Sequence, residues 1–393
     1  MAITLTKDHA VGVIGAGTMG TGIAQAASTY GHKVYLYDVS DKARQKSEKG
    51  LIKILNRQVE KNRMTQEEVN GIRDRIHYVD SISELANCHL TIEAIIEDLD
   101  IKQKTFRDLE KLVSDDAVLT TNTSSLSIAS ISSALIKPER FLGTHFFNPA
   151  PLMPLVEIIP GIPTSYDTVK STRVLIDAWG KTTVLAKDTP GFIVNRVARP
   201  FYSEAIRQLE EGVADVATID WAMKAIGGFK MGPFELMDFI GHDVNYKVTE
   251  TVFEAFYYDP RFKPSFTQKR LVEAGFLGRK SGRGFYDYRE GATNPEPLKD
   301  SQLGQKIVNR ILVMLFNEAS DAVFMNVATV NDIDTAMTKG VNYPKGLLKW
   351  ADEWGLDAVL DHLEALQDEY GEDRYRPNPL IKRMVRSGSK FYK

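Results

Sequence analysis

Residues 11–20, VGVIGAGTMG, decide the fold of this chain. A short apolar run leads into three glycines with the spacing GxGxxG, and a helical pattern follows over Thr18–Tyr30. This spacing permits a tight turn, a close approach of phosphate to the backbone, and close packing of helix on strand. The N-terminus of the helix then faces the anion. The stretch predicts a dinucleotide-binding βαβ unit, and the residues expected to contact the dinucleotide are Gly15, Gly17, Thr18, Met19 and Gly20.

The second strand of this unit, predicted over 33–37, is followed directly by Asp38. A carboxylate at this place accepts hydrogen bonds from a ribose 2′-hydroxyl and repels a 2′-phosphate. No basic residue follows until Lys42, so the sequence favours NAD over NADP. The competing interpretation, a glycine turn that binds no ligand, would not require the strand, the helix and the distal acid together.

Strand and helix patterns alternate through the first half of the chain. Strands are predicted over 11–15, 33–37, 90–94, 118–121, 141–146 and 156–159, and helices over 18–30, about 41–76, 100–113 and 127–136. This alternation predicts an α/β fold with a mostly parallel, Rossmann-type doubly wound sheet and helices on both faces. We expect this NAD-binding domain to occupy residues 1–187.

The second half of the chain has a helical pattern and contains an internal repeat. IVNR at 193–196 returns at 307–310, an offset of 114 residues. The same offset relates these pairs: Glu204 and Glu318, Asp220 and Asp334, Gly232 and Gly346, Asp238 and Asp352. A GxxFY ending at 282–286 returns at 388–392. The repeat predicts two tandem all-α domains, 188–290 and 303–393, joined by a linker over about 289–303. The first helix is expected to begin at Asp188-Thr189-Pro190, a cap residue followed by a proline.

Composition narrows the class of protein. The 393 residues are 43% hydrophobic and 26% charged with a net charge of −3, which is typical of a soluble globular protein and does not favour nucleic acid as a partner. The single cysteine, Cys88, excludes a disulfide framework and suits a reducing compartment. We find neither a signal-peptide pattern nor an apolar run long enough for a membrane span. The sequence predicts a cytoplasmic protein without a membrane partner, and its seven scattered histidines suggest no metal site.

A histidine and a glutamate occupy neighbouring strand-like runs. His145 lies in the run 141–147, and Glu157 lies among apolar residues in the run 155–159. A carboxylate in apolar surroundings is costly unless it is paired, and His145 is the natural partner. Such a pair can move a proton at neutral pH because the acid orients and polarises the imidazole. A purely structural His–Glu pair is an equally good interpretation of the spacing alone.

Ser124 follows the predicted strand 118–121 in a run rich in small hydroxyls. In a doubly wound sheet the carboxyl ends of the strands face the ligand, so a hydroxyl there can bind a substrate oxygen or the nicotinamide. The alternative is an N-cap for the next helix. A basic segment at 41–64, with eight Lys or Arg against three acids, is on sequence alone an ordinary solvated helix face.

Taken together, GxGxxG, Asp38, NTSSL at 122–126, HFFNP at 145–149, Glu157 and DTPGFIVNR at 188–196 resemble the L-3-hydroxyacyl-CoA dehydrogenase family. The resemblance covers residues 10 to about 290. It implies oxidation of a 3-hydroxyacyl-CoA to a 3-ketoacyl-CoA with reduction of NAD, or the reverse. It also implies that His145 is the catalytic base and Glu157 its orienting acid, and that Ser124 and Asn195 hold the substrate oxygen.

The resemblance further implies a set of ligand contacts. Those to NAD are Glu97, Lys102, Ser124, Asn148 and Lys280. Lys61 falls where the family contacts CoA, which gives the basic segment a possible role in binding a polyanionic substrate. Ile54 stands where the family has a serine on CoA. Asn195 is the weakest of the catalytic assignments, because Asn309 repeats it in a copy that has no dinucleotide domain.

Several alternatives remain at this stage. The arrangement also resembles the longer enzymes of phenylacetate breakdown, which implies 3-hydroxyadipyl-CoA as an alternative substrate. A sugar-acid or carnitine-type dehydrogenase of the same superfamily, or a silent NAD-binding structural protein, is less favoured. Shorter family members dimerise through a single helical domain, so the tandem copy predicts a monomeric pseudo-dimer or a weak homodimer.

Overall fold

The protein is described from a computed structural model that covers residues 5–392. Residues 1–4, in which the sequence predicts no signal peptide, and residue 393 lie outside the described part. The chain separates into two compact units, Met1–Thr189 and Pro190–Lys393. The division of the chain into three domains stays a prediction.

The first unit is built on one eight-stranded sheet with the order β3-β2-β1-β4-β5-β6-β7-β8. The strands are β1 (Val11–Ile14), β2 (Val34–Tyr37), β3 (Ile76–Val79), β4 (Leu90–Glu93), β5 (Val118–Thr121), β6 (Phe141–Phe146), β7 (Leu155–Pro160) and β8 (Thr182–Leu185). Neighbouring strands are parallel except β6 and β7, which are antiparallel. The strand order reverses at β1, which is the place where doubly wound sheets bind ligands.

Six helices connect these strands: α1 (Thr18–Tyr30), α2 (Asp41–Glu60), α3 (Gln66–Arg75), α4 (Leu99–Glu110), α5 (Ile128–Ser132) and α6 (Tyr166–Ala178). Strands β1, β4 and β5 are buried along their whole length, as expected for a sheet covered on both faces. The predicted α/β class is therefore confirmed.

The predicted helix over 41–76 is wrong in its length. It breaks after residue 60, and Thr65 begins a new helix with a capping box: its hydroxyl accepts from the Glu68 amide, and the Glu68 carboxylate accepts from the Thr65 amide. The last predicted residue, Ile76, opens strand β3. The prediction also missed α6 and β8, and it made α5 too long.

The second unit is helical. Its helices are α7 (Val194–Val197), α8 (Arg199–Glu210), α9 (Val216–Ala225), α10 (Pro233–Ile240), α11 (His242–Ala255), α12 (Phe266–Glu273), α13 (Ser301–Phe324), α14 (Val330–Gly340), α15 (Leu347–Trp354), α16 (Leu356–Tyr370) and α17 (Pro379–Ser387). Helices α14, α15 and α16 begin 114 residues after α9, α10 and α11, so the sequence repeat is a structural repeat.

The two copies are joined by reciprocal ion pairs. Arg196 of the first copy donates from Nε to Glu318 of the second at 2.7 Å, and Arg310 of the second donates from Nε to Glu204 of the first at 3.0 Å. These four side chains are almost fully buried. Since each arginine and each glutamate is the repeat equivalent of the other, the contact has the form of an isologous dimer interface within one chain.

The GxxFY endings perform the same task in both copies. The amides of Phe285 and Tyr286 donate to Asp238, and those of Phe391 and Tyr392 donate to Asp352. The second copy closes this contact with a shorter connection. This explains why the sequence offset of the ending falls to 106.

Asp188 does not cap the first helix of the second half, which corrects that prediction. Its carboxylate accepts from the amides of Ile128 and Ala129 and therefore caps α5 in the first unit. The next helix, α7, begins only at Val194, after a turn in which Gly191 has a φ of +73°. Within residues 5–392 no helix is long and apolar enough to cross a membrane.

Candidate active site

The glycine turn between β1 and α1 has the geometry that a dinucleotide requires. Gly15 has a φ of +107°, and a Cβ on Gly20 would lie 1.8 Å from the Gly15 carbonyl oxygen. Gly17 is different: a Cβ there would meet no protein atom within 4 Å, so the open space beside it is available to a ligand. Gly17 caps α1 without a side-chain hydrogen bond, which leaves the first amides of the helix for an anion. Thr18 and Met19 begin that helix.

Asp38 lies at the end of β2, next to this turn. One carboxylate oxygen accepts from the Ala16 amide at 2.8 Å, and the other accepts from the Ser40 amide at 2.8 Å. The carboxylate therefore also stabilises the glycine turn. Each carboxylate oxygen has a second lone pair, so these bonds leave acceptor capacity for a ribose hydroxyl.

His145 and Glu157 lie directly opposite each other on antiparallel strands β6 and β7. Nδ1 of His145 is 2.6 Å from Oε2 of Glu157, and the Glu157 side chain is 0% exposed. The predicted pairing is therefore present. The ring of His145 also packs against Phe147, with 4.5 Å between the centroids. Because Glu157 is an acceptor, the proton of a neutral imidazole is held on Nδ1 and Nε2 keeps its lone pair.

A second carboxylate network lies at the carboxyl ends of β4 and β5. Lys102 is 1% exposed and donates to Glu93 at 2.6 Å, and its Nζ is 3.2 Å from Glu97. Glu93 also accepts from the Thr121 hydroxyl at 2.6 Å. Sequence reasoning missed Glu93, although a glutamate in the apolar run 90–94 is a signal of the same kind as Glu157. Lys102 is thus placed as a buried ion-pair partner of both acids.

Glu97 holds the loop that carries Ser124. Its Oε1 accepts from the Thr123 hydroxyl at 2.5 Å and from the amides of Ser124 and Ser125 at 3.0 and 3.2 Å. Burial opposes the ionisation of Glu97, but Lys102 and the hydroxyl donors outweigh it and lower its pKa. The carboxylate is therefore kept ionised at the edge of the sheet.

The N-cap alternative for Ser124 is wrong, since Ser127 caps α5 by accepting from the Ser130 amide. Asn122, at the end of β5, accepts from the Phe146 amide at 2.8 Å and so ties the serine-rich loop to the strand that carries His145. Asn148 is exposed and precedes a cis peptide bond to Pro149. The first unit thus brings Ser124, His145 and Asn148 to neighbouring strand ends.

The remaining predicted residues lie on other elements. Lys61 ends α2 and is exposed, and Ile54 on the same helix is 50% exposed. In the second unit Asn195 lies on α7 and is half-buried, while Lys280 is exposed and pairs with Asp243 at 2.5 Å. Among residues 5–392 no cluster of three or more His, Cys, Asp or Glu side chains could hold a metal ion.

Comparison with known protein families matches both units. The model of the 3-hydroxyacyl-CoA dehydrogenase NAD-binding domain matches residues 10–189. The model of the C-terminal domain of the same enzymes matches twice, over 191–288 and 307–393. The second match falls on the second copy of the helical repeat.

Similar proteins with named activities point to the same family as these models. The chain is 39% identical to 3-hydroxyadipyl-CoA dehydrogenase of Escherichia coli, over 95% of this chain and 96% of that protein. It is 42% identical to 3-hydroxybutyryl-CoA dehydrogenase of Bradyrhizobium diazoefficiens, over 74% of this chain and 97% of that one. A crystal structure of an E. coli 3-hydroxybutyryl-CoA dehydrogenase superposes with a TM-score of 0.92 at 38% identity and covers 98% of this chain and all of the other. The chain therefore belongs to the 3-hydroxyacyl-CoA dehydrogenase family of NAD-dependent oxidoreductases.

Proposed function

We propose that this enzyme oxidises an (S)-3-hydroxyacyl-CoA to the 3-ketoacyl-CoA, or catalyses the reverse reaction, with His145 as the general base. The observation that carries the proposal is the 2.6 Å contact between His145 Nδ1 and the buried Glu157 carboxylate. This contact orients the ring, and in the tautomer that carries its proton on Nδ1 the nitrogen that accepts a proton is Nε2. A histidine held in this way is suited to take the proton of a secondary alcohol at neutral pH.

Each of the proposed catalytic residues then has a distinct role in the reaction. Nε2 of His145 removes the hydroxyl proton, and Glu157 stabilises the positive charge that forms on the imidazole. Bound NAD supplies the acceptor for the hydride that leaves C3. Ser124 and Asn195 hold the substrate oxygen, so that the alcohol is already oriented when the proton moves. Asn195 is the less secure of these two, because Asn309 repeats it in the second copy.

The cofactor is held by the glycine turn and by the network at β4 and β5. Gly15, Gly17 and Gly20, with Thr18 and Met19, form the pyrophosphate cradle at the start of α1, and Asp38 binds the adenosine ribose. Glu97, which Lys102 and the serine-rich loop hold, contacts the nicotinamide half of the cofactor in this proposal. Ser124, Asn148 and Lys280 are the further NAD contacts that the family resemblance implies. Lys61 and its basic neighbours on α2 bind the CoA moiety.

A second candidate substrate is 3-hydroxyadipyl-CoA. The relative named for that activity matches 95% of this chain, and a solved structure named for 3-hydroxybutyryl-CoA covers 98%, so relatives of full length carry both substrate names. We place the enzyme in the cytoplasm, a reducing compartment, because its single cysteine, Cys88, is buried and forms no disulfide. Sugar-acid and carnitine-type substrates are less favoured, since they offer nothing to the basic segment around Lys61.

The proposal is tested by His145→Gln, with His77→Gln as the matched control. His77 is also on a strand of the sheet, but it is exposed on β3. NADH oxidation with acetoacetyl-CoA should fall by about 10²–10⁴-fold in the first variant, which is the usual contribution of a general base. It should stay near wild type in the second, and both should bind NADH normally in a fluorescence titration. Near-normal turnover by His145→Gln would rule out the assignment.

A panel of 3-ketoacyl-CoA substrates decides the substrate class. We expect activity with CoA thioesters and none with free hydroxy acids or with carnitine. The ratio of kcat/KM between 3-ketoadipyl-CoA and acetoacetyl-CoA distinguishes the two candidate substrates.

A further inference from the structure

A cavity of about 130 Å³ lies within the helical unit, and none of the residues assigned above belongs to its lining. Its walls come from α8, from α11, and from the segment around the start of α12. Part of the lining is apolar, including Ile206, Pro264 and Phe266. The rest includes a buried guanidinium, that of Arg199, and an exposed cation, that of Lys263.

Arg199 has no acidic partner in the described part of the chain. It is 5% exposed, Nη1 donates to the Thr249 hydroxyl at 3.1 Å, and the guanidinium lies 4.9 Å from the centre of the Tyr202 ring. Nε is buried and has no hydrogen-bond partner. The only carboxylate of the lining, Glu210, is 11 residues further along α8, a rise of about 16 Å along the helix axis, and it accepts from the hydroxyls of Ser265 and Thr267.

A buried guanidinium without a carboxylate partner lowers the stability of the fold. A buried charge is normally paired, because the loss of hydration is not otherwise repaid. Burial also lowers the pKa of the Arg199 guanidinium. The other buried arginines at the copy interface, Arg196 and Arg310, each have two carboxylate partners. Arg199 is therefore an exception within its own unit.

The repeat shows that the helical fold does not need this cluster. At the equivalent positions, 114 residues later, the second copy has Val313 for Arg199, Phe316 for Tyr202 and Leu363 for Thr249. All three are 0% exposed core residues. The same helix pair therefore packs with apolar side chains in one copy and with an unpaired guanidinium in the other.

We propose that the Arg199 cavity is a binding site for an aliphatic carboxylate. The planar guanidinium matches a carboxylate in two parallel hydrogen bonds, and one monovalent anion neutralises one buried cation. The apolar wall formed by Ile206, Pro264 and Phe266 accommodates the hydrocarbon chain. The carboxylate has two possible sources: a free acid, or the distal carboxyl group of an acyl thioester. The second source rests on the proposed function, and one fact connects the two: Arg199 opens α8 four residues after Asn195 of α7.

The first experiment measures free-acid binding on the full-length protein with NAD present. Hexanoate is titrated into wild type, Arg199→Met and the control Lys269→Met, with hexanamide and inorganic phosphate as comparison ligands. Lys269 is an exposed lysine of α12 that does not line the cavity. We expect hexanoate to raise the Tm of wild type and of Lys269→Met, and to bind Arg199→Met about ten-fold or more weakly. Arg199→Met should fold, because it replaces an unpaired buried charge with an apolar side chain of similar length.

The second experiment measures the ratio of kcat/KM for 3-ketoadipyl-CoA to that for acetoacetyl-CoA in the same three proteins. A fall of about ten-fold or more in this ratio, confined to Arg199→Met, identifies the acyl carboxylate as the source. Hexanoate binding that depends on Arg199 without such a fall identifies a free acid. The proposal is overturned if Arg199→Met changes neither quantity, or if hexanamide or phosphate binds as tightly as hexanoate. If wild type reduces neither thioester, the proposed function fails while the binding experiment still decides on the cavity.

Discussion

Glu157 gives the active-site proposal its sharpest test at the scale of a residue. Glu157→Gln keeps the size of the side chain and its place opposite His145, but it removes the negative charge that stabilises an imidazolium. We expect kcat for acetoacetyl-CoA reduction to fall by about 10²-fold or more, with KM for NADH little changed, because the loss falls on the transition state. Stopped-flow measurement of NADH oxidation checks the rate.

A structural role for the pair would give a different result. If Glu157 only held β6 and β7 together, Glu157→Gln would lower the Tm and leave the kcat of the folded fraction unchanged. Asp352 provides a comparison outside the site, since it is buried in the helical unit and accepts from the amides of Phe391 and Tyr392. Asp352→Asn should therefore lower the Tm in this manner.

At the scale of an element, the turn between β1 and α1 separates two roles of glycine. A Cβ on Gly20 would collide with the Gly15 carbonyl, whereas a Cβ on Gly17 would meet only open space. We expect Gly20→Ala to lose about 1–3 kcal/mol of folding free energy and to bind NADH weakly. Gly17→Ala should keep the wild-type Tm and lose only NADH affinity, as measured by fluorescence titration.

Gly20→Ala and Gly17→Ala are expected to differ in their free energy of folding, while both lose affinity for NADH. A Gly17→Ala protein with normal NADH affinity would show that the cofactor does not approach this backbone. A fully stable Gly20→Ala protein would show that the turn can relax, contrary to the 1.8 Å contact expected from the geometry.

Sequence reasoning placed the elements that carry strong local signals. The glycine motif fixed α1 at Thr18–Tyr30, and alternating apolar runs located β5 and β6 correctly. It failed where the signal was weak or non-local: the four-residue strand β3 directly follows a helix, and α6 lies in a segment with no motif. Asp188 has the local pattern of an N-cap, yet it caps α5, sixty residues earlier, which only tertiary structure reveals.

The residues of the candidate site also divide into those that sequence patterns predicted and those that only the structure revealed. The residue types and spacing were enough to pair His145 with Glu157, because an acid among apolar residues needs a partner. The Glu93–Lys102–Glu97 network was only partly recognised: its members lie in the single stretch 93–102, but their pairing depends on how the chain turns from β4 into α4. Arg199 had no sequence signal, because an unpaired charge can be identified only when its neighbours are known.

At the scale of the whole molecule, the reciprocal ion pairs support a monomeric pseudo-dimer. We infer that the contact between the two helical copies takes the place of the subunit interface that the family resemblance implies for shorter relatives. We predict a single species of 44.0 kDa by multi-angle light scattering, with no change between micromolar and millimolar concentration. An obligate dimer of 88 kDa, about twice that mass, would contradict the pseudo-dimer.

The same interface should be essential for stability. Arg310→Met leaves Glu204 and Glu211 with a missing partner, and loss of one member of a buried ion pair costs about 3–5 kcal/mol. Urea unfolding should show this loss for Arg310→Met. The control Arg289→Met, which removes an exposed arginine paired with Asp287, should change the free energy of unfolding by about 0.5 kcal/mol or less.

The tandem arrangement has a consequence for how this protein can change. In a symmetric homodimer every substitution appears twice, once on each side of the two-fold axis, so a side chain that suits one face must be tolerated on the other. A covalently joined pair removes that restriction, and each copy can take its own residues. The two arginines already differ in their additional partners. Besides the reciprocal glutamate, Arg196 pairs with Asp321, whereas Arg310 pairs with Glu211 and donates to the hydroxyls of Tyr370 and Tyr375. Laboratory evolution could therefore redesign one half of this molecule while the other half acts as an unchanging scaffold.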